Sequence, residues 1–278
     1  MLIASNTIPD IQKALDLGKN VPAGKRGKCT ASLSALLYLA LTSHASRTNN
    51  DAKSASFLEA LGVQKLPALV DLLAANGVQR ADNPFGTYPF EAFRIGSKQD
   101  LLSEDWTHFC DRFRRAASRG KQSSAVLAVA SVFREMADNV TWHAYESPDR
   151  PCRALAGYHV SDSGMCFSVA DDGQGFLKSL QRNPIWSSLS SDSQALDAVV
   201  SKQATSRAEE ATGGGFKQLF NGLLNLNGMV ILRSGRTTFT LRNHAAGWQR
   251  VEADSHPIIG SQVTLAIGRN GEAVEEKT

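Results

Sequence analysis

Between Ser123 and Ile267 the apolar residues change their period twice, and few architectures tolerate both changes. Val129, Val132, Phe133, Met136 and Val140 recur at i, i+3, i+4, i+7 and i+11, the stripe of a half-buried helix. "CRALAGYHV" and "GMCFSVADD" then alternate like strands, joined by a turn at "SDSG". A segment rich in Ser, Gln and Asp follows from Leu177 to Ala211. "GGGFKQLFNGLLNLNG" opens on glycines and continues as an amphipathic helix. "MVILRSG", "TTFTLRN" and "SQVTLAI" read as three further strands. The order helix, strand, strand, loop, helix, strand, strand, strand predicts an α+β fold, with helices over one face of a mixed, mostly antiparallel sheet.

Upstream the pattern is less regular. Thr30–Ala45 reads as a buried helix, "SFLEALGVQKLPALVDLLAANGV" as two helices parted near Gly62 and Pro67, and Asn83–Ile95 as turn formers followed by strand-like aromatics. The polar run Ser97–Trp106 suggests a boundary. The expected organisation is an N-terminal α/β domain over 1–104, a second domain over 105–270 and a flexible tail over 271–278. Near the start of the second domain, Arg112, Arg114, Arg115, Arg119 and Lys121 crowd one stretch. They fit either the solvated face of a helix that turns Phe109 and Phe113 inward, or a basic patch for phosphate or nucleic acid. With 30 Lys and Arg against 27 Asp and Glu, the net charge of +3 neither demands nor excludes a nucleic-acid partner. Cys29, Cys110, Cys152 and Cys166 show no C-x-x-C spacing, so reduced thiols are expected. No apolar run reaches the roughly 18 residues of a membrane helix, and no basic segment precedes an apolar core at the N-terminus. The expected location is cytoplasmic, without a membrane partner.

Four short pieces carry the chemistry. In "FREMADNVTWHA" Glu135 and Asn139 stand four apart on one helix face, an acid able to polarise water beside a hard amide oxygen suited to Mg²⁺. In "DDGQG" Asp171 ends an apolar strand, and Gly173 and Gly175 remove side chains where the backbone turns. In "TGGGF", Thr212 to Phe216, glycines open a helix whose N–H groups favour anions. In "GSQVTLAI", Gly260 and Ser261 enter a late strand. Alone, E-x-x-x-N describes many surface pairs and D-x-G-x-G many strand-ending turns. No G-K-[ST] follows the glycines, so this is not a Walker A loop.

Together, in this order, they resemble the N, G1, G2 and G3 boxes of the GHKL ATPase superfamily, which includes gyrase-type topoisomerases, histidine kinases and a heat-shock chaperone. The resemblance spans about Ser123 to Ile267. It implies the Bergerat ATP-binding fold, a two-layer α/β sandwich, and an adenine nucleotide with Mg²⁺ as ligands. By the same resemblance Glu135 is the general base, Asn139 the Mg²⁺ ligand, and Asp138 a neighbour of the nucleotide and its waters. Asp171 accepts a hydrogen bond from the adenine amino group, and Gly173 and Gly175 let the backbone approach the base. Thr212, Gly213, Gly214, Gly215 and Phe216 form the phosphate-binding helix start. Ser261, where relatives usually carry Thr, bridges Asp171 and the base through water. The polar segment becomes the ATP lid, with Thr205, Ser206 and Arg207 matching its T/S-S-R stretch, ordering over triphosphate. His143 is expected to pack rather than catalyse.

Two departures stand out. Asp172 replaces a common Asn, and Lys217 replaces the last glycine of G-x-G-L-G-L, which leaves turnover open. The implied function is Mg-dependent ATP binding and hydrolysis, coupled to lid closure and control of a protein partner through the N-terminal domain, with a homodimer also compatible. The alternatives are a serine protein kinase of the anti-sigma-factor type and a nucleotide-gated interaction module without turnover.

Overall fold

The computed structural model describes residues 85–92, 100–118, 123–145, 152–161, 164–206, 228–244 and 247–268. The expected N-terminal helices, the glycine-rich stretch Thr212–Phe216 and the tail 271–278 lie outside the described residues.

Among the described residues, strands β1 (Phe85–Ala92), β2 (Cys152–Ser161), β3 (Gly164–Asp171), β4 (Gly228–His244) and β5 (Gly247–Gly268) form one sheet of order β1-β2-β3-β5-β4. Every neighbouring pair is antiparallel. The α-helices among the described residues are α1 (Glu104–Ser118), α2 (Ser123–His143), α3 (Gly175–Gln181) and α4 (Asp192–Lys202). The expected α+β character holds, and the sheet is wholly antiparallel rather than mixed.

Helices α1 and α2 form because each presents an apolar stripe to the sheet. Ser103 caps α1: its hydroxyl oxygen accepts from the Trp106 N–H at 3.1 Å, satisfying one of the helix's orphan donors. Trp106, Phe109 and Phe113 are buried on the inner face of α1, and Val129, Val132, Phe133, Met136 and Val140 on that of α2, as the stripe predicted. Their partners on the sheet are Tyr158 of β2 and Phe167 of β3. Phe133 lies 4.9–6.0 Å, centroid to centroid, from Trp106, Phe109, Phe113 and Phe167. Such ring pairs add about 0.5–1.5 kcal/mol each beyond area burial. The sheet also buries alternate residues on its other face, including Ser168 and Thr264, whose hydroxyls bond at 2.7 Å.

Three expectations change. Phe85–Ala92, grouped by the sequence with the N-terminal region, pairs along its whole length with β2 and belongs to this sheet. Tyr88 fastens it to the start of α1 through hydrogen bonds to the Asp100 carbonyl and the Ser103 hydroxyl at 3.0 and 2.9 Å. "MVILRSG" and "TTFTLRN" are one strand rather than two. The "SGR" between them reads locally as a turn, but Gly235 takes φ +51° and absorbs a register shift as a bulge while pairing to β5 continues. "SQVTLAI" is likewise the last part of the 22-residue β5.

The third change concerns the polar segment. Up to Ser206 it is not an open loop. α3 and α4 bury Leu180, Ala195, Ala198, Val199 and Ala204 in a cluster of their own, against Phe176, Leu177, Trp186 and Leu189. Its serines serve the helices: the Ser191 hydroxyl accepts from the Gln194 N–H at 3.2 Å, and the Gln194 side chain accepts in return from the Ser190 N–H at 2.8 Å. A composition dominated by capping residues hid a small apolar core.

Candidate functional site

The cleft forms where the C-terminal half of α2 meets the end of β3, the interior of β5 and the start of α3. Met136, Asn139, Val140 and His143 line it from α2, Val169 and Asp171 from β3, Gly175, Phe176 and Ser179 from α3, and Ser261 and Val263 from β5. Its empty volume, taken out to open solvent, is about 490 Å³. Its walls are mainly apolar, with a few polar groups converging on them.

Asp171 is the electrostatic centre. It ends β3 directly opposite Ser261 of β5 and is 4% exposed. The Ser261 hydroxyl donates to its Oδ2 at 2.5 Å, and the N–H groups of Gly173 and Ser261 donate to its Oδ1 at 2.9 and 3.3 Å. Burial pushes its carboxyl up to about 6, against the opposing pull of these hydrogen bonds. Ser261 thus holds the Asp171 carboxylate directly. Gly260, at φ +75°, lies so close to the Asp171 carbonyl that a Cβ there would overlap it. No other residue lets the two strands close at this point.

The next residues of "DDGQG" divide their work differently than expected. Asp172 turns away from the cleft and pairs with Arg153 of β2, accepting from its Nε and Nη2 at 2.8 and 2.6 Å and from its backbone N–H at 2.7 Å. Its role, open in the sequence, is to lock the β2–β3 corner. Gly173 approaches protein rather than open cleft: a Cβ on it would overlap the carbonyl of Ala144, just beyond α2. Gln174 then donates from its backbone to the Ala144 carbonyl and from its side chain to the His143 and Tyr145 carbonyls, at 3.1, 2.7 and 3.1 Å. Arg182 donates to the Trp142 and Tyr145 carbonyls at 3.1 and 3.2 Å. The last carbonyls of α2 are therefore satisfied, and a cation sits at the negative end of the helix.

Asn139, Asp171, Gly175 and Ser261 meet in the cleft. Glu135 does not line it. It is half buried, one turn before Asn139 on the flank of the lining face. Asp138 lies roughly 150° round the helix from the middle of that face; its carbonyl accepts from the Thr141 hydroxyl at 2.8 Å. Thr212, Gly213, Gly214, Gly215 and Phe216 lie outside the described residues. His143 lines the cleft, and its Nδ1 shares a 2.6 Å hydrogen bond with the Ser206 hydroxyl. Thr205 is buried, its carbonyl accepting from Asn183 at 3.1 Å.

The sequence did not single out Phe176, Ser179, Gln174, Arg182 or Ser234. Phe176 had a local signal, an aromatic directly after D-x-G-x-G. Ser234, which accepts from the Phe176 N–H at 3.0 Å across 58 residues, had none. The chain matches no protein-family model, no curated protein and no solved structure.

Proposed function

We propose that this cleft binds an adenine nucleotide with Mg²⁺ and that the chain is an ATP-binding protein of the GHKL type that hydrolyses ATP. One observation supports this above the others. Residues from α2, β3, α3 and β5, far apart in sequence, meet in one cleft as Asn139, Asp171, Gly175 and Ser261, four positions assigned to a nucleotide by the motif resemblance.

The donor set suits the ligand. Apolar walls from Met136, Val140, Val169, Phe176 and Val263 fit a flat aromatic base. With its carboxyl pushed up only to about 6, Asp171 is mostly ionised at neutral pH and accepts from an exocyclic amine. Among the described residues no cluster of three His, Cys, Asp or Glu forms a metal cage. Mg²⁺ needs none: it takes one or two protein oxygens and completes its shell with water and phosphate. The Asn139 amide oxygen would be such a ligand. Bound there, Mg²⁺ would neutralise phosphate charge, while Glu135, one turn away, would take the proton of the attacking water. Titration calorimetry with ATP and Mg²⁺ is the direct test; absence of heat with any adenine nucleotide would refute the proposal.

A second reading gains from the position of Glu135. Because it flanks the cleft rather than lining it, the fold also suits a nucleotide-gated interaction module without turnover. Saturable ATP binding with no phosphate release from the unaltered protein would favour that reading over hydrolysis.

A further inference from the structure

We infer that Asp192 and Ser234, which do not line the cleft, are positioning residues that set the Phe176 wall of the proposed nucleotide site. The inference rests on the cleft being a nucleotide site. The chain of contacts starts at Asp192, the first residue of α4, whose Oδ1 accepts from the Ser234 hydroxyl at 3.0 Å. The same hydroxyl oxygen accepts from the Phe176 N–H at 3.0 Å. Phe176 lines the cleft and packs against both the main core and the α3–α4 cluster.

Ser234 is almost completely buried, so it has little choice of partners. As an acceptor for Phe176 and a donor to Asp192 it is oriented at both ends, and the carboxylate fixes which way its proton points. The backbone enforces this arrangement. At the bulge of β4 a Cβ on Gly235 would overlap the Asp192 carboxylate, and a Cβ on Gly175 would come within 2.9 Å of the Ser234 oxygen. The carboxylate, the hydroxyl and the turn into α3 are therefore in mutual contact.

Ser234 is also tied to Asp171 through the sheet. It stands opposite Ser261 in the β4–β5 ladder, and Ser261 stands opposite Asp171 in the β3–β5 ladder. One cross-strand row thus runs Asp171, Ser261, Ser234, with Asp192 at its end. The carboxylate assigned to the base and the aromatic wall beside it share a single reference row in the sheet. Asp192 joins α4 to that row, so displacement of α4 moves Phe176 relative to Asp171.

The test compares three variants of the full chain by titration calorimetry with ATP and Mg²⁺, by thermal unfolding, and by hydrogen exchange at the Phe176 amide. Asp192→Ala should weaken ATP binding about tenfold, the scale of one lost hydrogen bond to a charged group, and should speed exchange at Phe176. Asp192→Asn keeps an acceptor oxygen for Ser234 and should restore both. Val126→Ala trims the core near the start of α2, at the other end of that helix from the cleft; it should lower Tm but leave ATP affinity and Phe176 exchange unchanged. The inference is overturned if Asp192→Ala binds ATP like the unaltered protein, or if Val126→Ala weakens binding as much. If the unaltered protein binds no ATP, the nucleotide assignment fails instead. The positioning role is then decided by exchange alone: it stands if Phe176 loses protection in Asp192→Ala and regains it in Asp192→Asn, and falls otherwise.

Discussion

Replacing Asp171 by Asn should make the protein more stable at neutral pH while removing nucleotide affinity. The carboxyl is buried, and its folded value of about 6 lies above the ordinary 3.8. The sign follows directly. A folded value above the unfolded one means that the folded state holds the proton more tightly. Stability from this group is therefore complete below about 3.8 and is lost as pH rises through about 6. At about 1.4 kcal/mol per pH unit, the ionised Asp171 lowers stability at pH 7 by about 3 kcal/mol.

Asparagine has the same shape and can keep all three hydrogen bonds. Its oxygen accepts from the Gly173 and Ser261 N–H groups, and its amide donates to the Ser261 hydroxyl, which becomes the acceptor. The variant should thus gain up to about 3 kcal/mol at pH 7.5, or roughly 6–12 °C in Tm for a domain of this size. The gain should shrink as pH falls and vanish near pH 4. Urea unfolding of both proteins at several pH values measures the difference directly, because general acid effects cancel between them. Calorimetry should show no ATP binding by the variant, since the amide donates where a base amine needs an acceptor. A variant no more stable at pH 7.5, or an advantage that does not change with pH, would refute the assignment of a destabilising buried carboxylate.

Glu135→Ala should leave ATP affinity within about twofold and abolish phosphate release; undiminished release in a phosphate assay rejects Glu135 as the base. Gly173→Ala should destabilise by about 2–3 kcal/mol, because its Cβ must displace the Ala144 backbone at the end of α2; an unchanged Tm would show that this corner yields easily. Arg153→Ala should destabilise by about 2 kcal/mol by removing the guanidinium that pairs with the buried Asp172 carboxylate, which chemical denaturation at pH 7 checks.

Much of the fold was legible locally. The stripe on α2 named its buried residues correctly because a helix face is set by spacing alone. The alternation in "CRALAGYHV" and "GMCFSVADD" marked β2 and β3 for the same reason. The errors came where local and tertiary signals conflict. "RSGR" looks like a turn, and only the partner strand β5 shows that the chain runs through it. The serine-rich segment looks like a loop, because its buried apolar residues are spread among helix-capping side chains. Asn83–Ile95 gave a strand signal but no partner, and pairing with β2, from Phe85↔His159 to Ala92↔Cys152, decided the place of Phe85–Ala92.

The sequence by itself determined the chemical inventory: an amide one turn after an acid on a helix, a carboxylate at a strand end, glycines where backbones must meet, and the periods that build α2, β2 and β3. Tertiary structure decided which of these share a cleft. It placed Asn139 and Asp171 in the cleft wall, Glu135 on its flank and Asp138 away from it, turned Asp172 toward Arg153, and supplied Ser234 and Arg182 from segments with no motif. The reason is range. Periodicity and capping act within a few residues, whereas the contacts that orient Asp171 and Phe176 close over 90 and 58 residues, and only the folded sheet brings those partners together.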